Sequence, residues 1–421
     1  MHIKFIYIIE GMLFMYNIGI MNFHFSNNNY GALMVPYAIQ YILKKEFISS
    51  EIINYIPSEK YISNSVFEYF RDKNLTISNT RMETLESLRN NIDNYKVIII
   101  GSDQVFRGNS YSPYFLSWIY GNINCISYGA SFGSDRYNGI VGTKKNTKKF
   151  LKRFDAHSVR ESSGVTIMKN TFGLDAIQVL DPTLLLDPKD YQPIIDSEPC
   201  AQPEKYVGVM FLDDEHWDEF RASALYKKLS AEYEIVNICK DEQGEFRSVP
   251  QWLSYIKHAS LMVTDSFHGT VFSIIYRKQF ITRATANRGN ARLESLCSTL
   301  DIPLSRFCPS FDKKNDTQFD TPLDFAPVWK RIEEERVVSL DYLKRSLAME
   351  PTYKEFIPVR RDRLSIPILS IEEREHDKRL LLFGCIPVVC KPLKGNSVYL
   401  FGKIPFSRET LSGLKRRLLK R

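Results

Sequence analysis

LMVTDSFHGTVFSIIY, residues 261–276, decides the fold. A β-rich apolar run stops on Asp265, Ser266, Phe267, His268 and Gly269, then resumes at helical spacing. This is a strand passing through a short polar turn into a helix, the unit from which parallel α/β sheets are built. Ligands of such sheets bind beyond the carboxyl ends of the strands, where a helix start offers N–H groups to an anion. His268 stands at that turn and is the first candidate for chemistry.

The same scheme repeats along the chain. In the first half, strands are expected at Tyr16 to Phe23, Val97 to Ile100, Cys125 to Tyr128, His157 to Val159 and Ile177 to Leu180, each ending on a polar loop. In the second half they are expected at Tyr206 to Phe211, Ile235 to Ile238, Leu261 to Thr264 and Gln279 to Thr282. The stretch 187–205, DPKDYQPIIDSEPCAQPEK, reads as a linker from its four prolines and many charges. The expected architecture is α/β, with two Rossmann-like doubly wound domains, 1–190 and 200–348, facing across a cleft. A basic C-terminal extension, 349–421, follows.

Composition suits this reading. With 421 residues, 44% hydrophobic and 25% charged, the chain can build two cores. Its seven cysteines are scattered and form no C-x-x-C, which suits neither a disulfide framework nor zinc and suggests reduced thiols in a cytoplasm. The apolar start is interrupted by Lys4, Glu10, Gly11, Asn17 and Gly19, so neither a signal peptide nor a membrane span is expected. Met12 and Met15 offer later start points. The net charge of +7 is uneven: residues 350–421 hold 16 Lys and Arg against 8 Asp and Glu, so the rest is nearly neutral. Such a tail points to an anionic membrane surface, and hence to peripheral contact with the inner face of the plasma membrane, rather than to nucleic acid. Two LFGxIP segments, starting at Leu382 and Leu400, read either as a β-hairpin or as part of such a docking element.

Several strand ends carry candidate side chains. Asp265 and Ser266 are able to orient an imidazole at His268, and Gly269 would let a ligand approach the backbone. Gly101, Ser102, Asp103 and Gln104 follow the strand VIII and read as a ligand loop or a helix cap. Arg160, with Glu161, leaves a strand end where its fork suits a carboxylate or phosphate, or else forms a rim ion pair. Asn29, Tyr30 and Gly31 sit at the first strand-to-helix turn and line the cleft or merely turn the chain. No P-loop, G-x-S-x-G, H-E-x-x-H or intact G-x-G-x-x-G occurs, and no metal site is expected from His258 and His268.

In order, IGIMNFHFSNNNYGALMVPYAIQ, VIIIGSDQVF, ISYGASFG, SVRESSG, VLDPTLLLD, VTDSFHGTVFSIIYRKQFI, RGNARLESL and a late W-x-x-I with R-x-x-S (Trp329, Ile332, Arg336, Ser339) resemble the polysaccharide pyruvyl transferase family. The resemblance spans about Tyr16 to Ala348. It implies a glycosyltransferase-B-like pair of domains, and transfer of a pyruvyl group from phosphoenolpyruvate to a sugar or lipid-linked oligosaccharide as a cyclic ketal. Phosphoenolpyruvate is then a co-substrate, and no cofactor or metal is required. The implied roles are donor binding for Arg160, Ser266, Gly269 and Arg292, and acid or base for His268 with Asp103 as second base. Asn29, Tyr30, Gly101, Ser102, Glu161 and Asp265 are implied to line the cleft. The family commonly carries Ser-Arg-Leu-His where this chain has Asp265, Ser266, Phe267 and His268. The missing arginine must be supplied by Arg283, Arg288 or Arg292, or the donor differs. Two other readings fit the architecture: a nucleotide-sugar glycosyltransferase, and a non-catalytic scaffold for glycan assembly.

Overall fold

Val97–Ile100 form a strand buried on both faces, at the centre of a parallel sheet covered by helices. A computed structural model describes residues 18–25, 28–46, 48–57, 63–107, 113–137, 139, 144–284, 290–311 and 321–356, with the backbone of six further strands between 360 and 406. In chain order the first half holds strands β1 (Ile18–Met21), β2 (Ser50–Ile52), β3 (Val97–Ile100), β4 (Gly121–Asn122), β5 (Asn124–Ser127), β6 (Ser158–Val159) and β7 (Ile177–Gln178). The first sheet runs β2-β1-β3-β5, all parallel, and single bridges at Ala156 and Val159 continue it toward the pair β6-β7.

The second half holds β8 (Tyr206–Met210), β9 (Glu234–Asn237), β10 (Leu261–Thr264), β11 (Gln279–Arg283) and β12 (Phe307–Cys308), all parallel, in the order β12-β11-β10-β8-β9. Numbered by appearance, this order is 2-1-3-4-5 read from the β9 edge, and the first sheet starts with the same 2-1-3-4. In such a sheet the strand order reverses between the first and third strands, and a crevice opens there at their carboxyl ends. Each half therefore has one switch point, beyond Met21 and Ile100 in the first and beyond Met210 and Thr264 in the second.

The segment 187–205 is not a loose linker. Short helices at Pro188–Asp190 and Gln192–Asp196 bury Tyr191, Ile194 and Ile195, and the Tyr191 ring packs 5.2 Å from that of Phe272. Pro188 and Pro193 start these helices instead of preventing structure. The long helix Phe325–Leu347 follows the second sheet but returns to the first half: Leu180 N donates to Ser339 Oγ (2.9 Å), and Tyr342 OH donates to Ser127 O (2.8 Å). Beyond it, β13 (Tyr353–Lys354) pairs antiparallel with β4, and Lys354 Nζ reaches the buried Asp155 carboxylate and Ile123 O. The stretch expected to begin the basic extension thus starts inside the packing of the first half.

Strands β14 (Arg360–Asp362), β15 (Leu369–Glu373), β16 (Asp377–Leu382), β17 (Ile386–Pro392), β18 (Val398–Leu400) and β19 (Ile404–Phe406) form an antiparallel meander. Leu382 pairs with Ile386 and Leu400 with Ile404, so each LFGxIP segment joins two antiparallel strands, as the hairpin reading expects. Residues 407–421 lie outside the described residues. Among the described residues no helix is long and apolar enough to cross a membrane.

Candidate active site

Arg160 leaves the end of β6, Asp181 lies just beyond β7, and His268 opens the helix Phe267–Ile275 after β10. The two halves bring these three together. Arg160 Nη1 donates to Asp181 Oδ2 at 2.7 Å, and His268 Nε2 stands 3.7 Å from the same oxygen. The other Asp181 oxygen accepts from Thr183 N (3.0 Å) and Thr183 Oγ1 (2.6 Å). The Arg160 guanidinium lies 4.3 Å over the Phe267 ring, and that of Arg292 lies 5.5 Å from it. Arg292 belongs to the helix Asn290–Leu300, whose Ser295 and Thr299 dock on Ser162 N and Gln178 Nε2 of the first half.

Buried charge dominates this junction. Burial alone would raise the Asp181 carboxyl, but His268, Arg160 and Thr183 together hold it well below the usual carboxylate range. Burial also works against charge on Arg160, yet Asp181, Asp103 and Glu161 keep it firmly protonated. Burial, aided by repulsion from Arg160, pushes Arg292 down to about 10. Arg160 Nε and Nη2, Glu161 Oε2 and His268 Nε2 are buried without a hydrogen-bond partner. Each such orphan costs about 1–3 kcal/mol, and their gathering at one junction makes it the candidate site for a polar ligand.

Asp103 is also present, with Oδ1 3.8 Å from Arg160 Nη2. Its φ of +87° lies in the left-handed region, which is strained by about 1–3 kcal/mol for a non-glycine residue and concentrates at functional sites. Its carboxylate accepts from Gln104 N at 2.8 Å. Glu161 is no rim residue. Its Oε1 accepts from Ser131 Oγ and Phe132 N and anchors the loop after β5, while burial, its largest influence, raises its carboxyl.

Most of the remaining expected site residues are held in structural contacts. Ser266 Oγ caps the helix by accepting from Gly269 N at 3.3 Å. Gly269 makes room for Thr264 rather than a ligand, since a Cβ there would stand 2.4 Å from Thr264 Oγ1. Asp265 accepts from Leu212 N, Asp213 N and His216 Nδ1 (2.7 Å), holding the loop after β8. Gly101 makes room for Asn22, and Ser102 Oγ is buried beside Gly129 with no partner. Asn29 caps the helix Tyr30–Lys45 through Ala32 N. The Tyr30 hydroxyl bridges the halves, donating to Cys239 O and Arg247 O, and its ring stacks on Trp252 at 4.7 Å. Arg283 is held by Glu219 at 3.1 Å, Arg288 lies outside the described residues, and Arg292 lies 5.5 Å from the ring of Phe267, which is next to His268 in sequence.

Asp213, His216 and Asp265 offer ligand atoms within 4.8 Å of one another. The 2.7 Å contact from His216 to Asp265 and the two backbone bonds to Asp265 are those of a hydrogen-bonded loop anchor. A cavity of about 660 Å³ opens at the carboxyl ends of β8 and β9 and is lined from the first half by Asn28, Asn29 and Tyr30. The recess beside Arg160, Asp181, Phe267 and Arg292 measures only about 20 Å³.

The sequence profile of the family described as polysaccharide pyruvyl transferase matches residues 29–287. This chain belongs to that family. As a polysaccharide pyruvyl transferase family member it is a transferase, built on two parallel α/β sheets. A search of curated proteins finds no significant match. Similar solved structures include UDP-N-acetylglucosamine 2-epimerase from Rickettsia bellii (11% identity, 79% of this chain and 96% of that one, TM-score 0.49). Others are the Neisseria meningitidis UDP-GlcNAc 2-epimerase bound to UDP-GlcNAc (11%, 78% and 100%, 0.47) and a glycosyltransferase from Rickettsia africae (12%, 79% and 97%, 0.43). The site residue that sequence reasoning passed over in this family member is Asp181. It lies in VLDPTLLLD, where an acid before proline reads as a cap, and it does cap Thr183 N. The signal was its position just past a strand end, the same logic that singled out Arg160.

Proposed function

We propose that this chain transfers the pyruvyl group of phosphoenolpyruvate to two hydroxyls of a sugar, free in a surface polysaccharide or carried on its lipid-linked precursor. The observation that carries the reading is the convergence of two guanidiniums, Arg160 and Arg292, on the Phe267 ring beside His268. A compact trianion needs such a pair, and forked arginines suit both its carboxylate and its phosphate. Arg292 takes the place of the arginine that the family commonly carries before the histidine. The donor enters when the halves part, because the recess of about 20 Å³ is smaller than the donor.

In the proposed reaction one sugar hydroxyl adds to C2 of the enol, giving its proton to Asp103, while His268 delivers a proton to C3 and the methylene becomes a methyl. The second hydroxyl then bonds to C2 as the bond from C2 to the phosphate oxygen breaks. Phosphate leaves with that electron pair and with the proton of the second hydroxyl. One donor and one diol give one cyclic ketal and one inorganic phosphate. The arginines and the helix N-terminus stabilise the developing charge. Asp181 is a positioning residue: it fixes Arg160 and stands next to His268. Work on the cytoplasmic face of the membrane, with the tail as a contact, fits a donor and an acceptor that meet inside the cell.

The test is turnover by the full chain with phosphoenolpyruvate and lipid-linked precursors from its own cells. The expected result is phosphate release matched by an acid-labile ketal on the glycan, reduced about 10²–10⁴-fold by His268→Ala. Release of no phosphate with any precursor, or full turnover by His268→Ala, would overturn the proposal.

A further inference from the structure

The cavity of about 660 Å³ takes no part in holding the donor as described, and its size falls in the range of roughly 300–1,000 Å³ typical of small-molecule sites. It backs directly onto the proposed reaction centre. Tyr30 lines it, and a Cβ on the next residue, Gly31, would stand 2.0 Å from His268 Nδ1. Met210 also lines it, and its Sδ is 3.2 Å from where a Cβ of Gly269 would lie. One residue of chain therefore separates the cavity from His268.

Its lining differs in chemistry from the arginine recess. The carboxylates of Asp214 and Asp218 balance the cations of Arg221 and Lys240, so a trianion gains little there. The half-buried Trp217 presents an aromatic surface, and Arg221 lies over it at 5.0 Å in an exposed pair with Asp218 (3.5 Å). An aromatic face flanked by carboxylates and by the Asn29 amide suits a pyranose: the ring's C–H face covers the indole, and its hydroxyls donate to the acids.

We infer that this cavity is the acceptor subsite and that it binds an uncharged saccharide unit on Trp217, with Asp218 taking its hydroxyls and Arg221 swinging off the indole as the sugar arrives. The inference rests on the pyruvyl-transfer reading only in taking the acceptor to be a sugar, and sugar binding is measured without turnover. Saturation-transfer NMR on the full chain would use methyl pyranosides of the common hexoses and N-acetylhexosamines, oligosaccharides from the cell's own surface glycan, and UDP as a separate arm. The expected result is saturation of pyranose ring protons that weakens about tenfold in Trp217→Ala and in Asp218→Asn, the second a surface change that spares the core. The signal should persist in Arg292→Ala, whose side chain does not line this cavity. Absence of binding by every saccharide, binding unchanged in both cavity variants, or a signal from UDP alone would overturn the inference. If the saccharides bind as expected while phosphoenolpyruvate is never turned over, the acceptor subsite stands and the donor reading falls.

Discussion

At Asp181 one carboxylate fixes an arginine, caps a turn and faces a histidine from the other half of the molecule. Removing its charge leaves Arg160 buried beside weaker partners. Asp181→Asn is expected to cost about 3–5 kcal/mol in urea unfolding, the usual penalty for breaking a buried pair from one side. The sign of the pH dependence follows from the depressed carboxyl. Its stabilisation is fully present above the unfolded value of about 3.9 and is lost as pH falls through the lower folded value, so wild type and Asp181→Asn should converge in stability only in strong acid. At this scale the placement of His268, Arg160 and Asp103 at strand ends and turns was legible from the α/β plan, whereas Arg292 was one of three arginines left open, and its place in the helix Asn290–Leu300 near Phe267 depends on packing. Ser266, Gly269 and Asp265 were not legible as structural residues. Their work is done against Gly269 N, Thr264 and His216, and the last two of these contacts depend on packing that a local reading does not contain.

The long helix Phe325–Leu347 is the element that fixes the Asp181 segment. Ser339 takes the Leu180 N–H, and Arg336 donates to Leu184 O (2.7 Å), Leu186 O (2.6 Å) and Asp187 Oδ1 (2.8 Å). The late R-x-x-S motif is thus a clamp on VLDPTLLLD. Ser339→Ala would leave the Leu180 N–H buried without its partner, and a loss of about 1–3 kcal/mol by thermal or urea unfolding is expected. The helix Tyr30–Lys45 makes the opposite kind of contact, a close approach. A methyl at Gly31 would force the His268 ring aside, so Gly31→Ala should lower turnover strongly in the phosphate-release assay while the circular dichroism spectrum stays that of the wild type. The main strands stood within two residues of their expected places, because apolar runs ending on polar turns carry that information. Strands β2 and β12 have three and two residues, too short for a pattern. The prolines of 187–205 suggested a linker because helix starts and loops share them, and only the burial of Tyr191, Ile194 and Ile195 separates the two.

Across the whole molecule, two sheets of like strand order put their switch points toward a common junction, where the arginines, His268 and the large cavity meet. The twofold plan was legible from the repeated strand-loop-helix units. The return of residues 325–356 to the first half was not, because a helix following the second sheet carries no mark of which half it covers. The tail divides accordingly. A chain ending after residue 356 keeps the Lys354 and Asp155 pair and should melt close to full length, while one ending after 349 should melt lower, as scanning calorimetry would show. If the tail docks on anionic lipid, the 1–356 chain should also leave the membrane fraction in low salt, and its retention there would remove that role from 357–421. Whether Arg160 and Arg292 hold phosphoenolpyruvate beside His268 is decided by calorimetric titration of the full chain with that compound, with and without acceptor precursor. Saturable binding weakened about tenfold or more by Arg292→Ala is predicted. No binding under either condition, or equal affinity in the variant, would contradict the account.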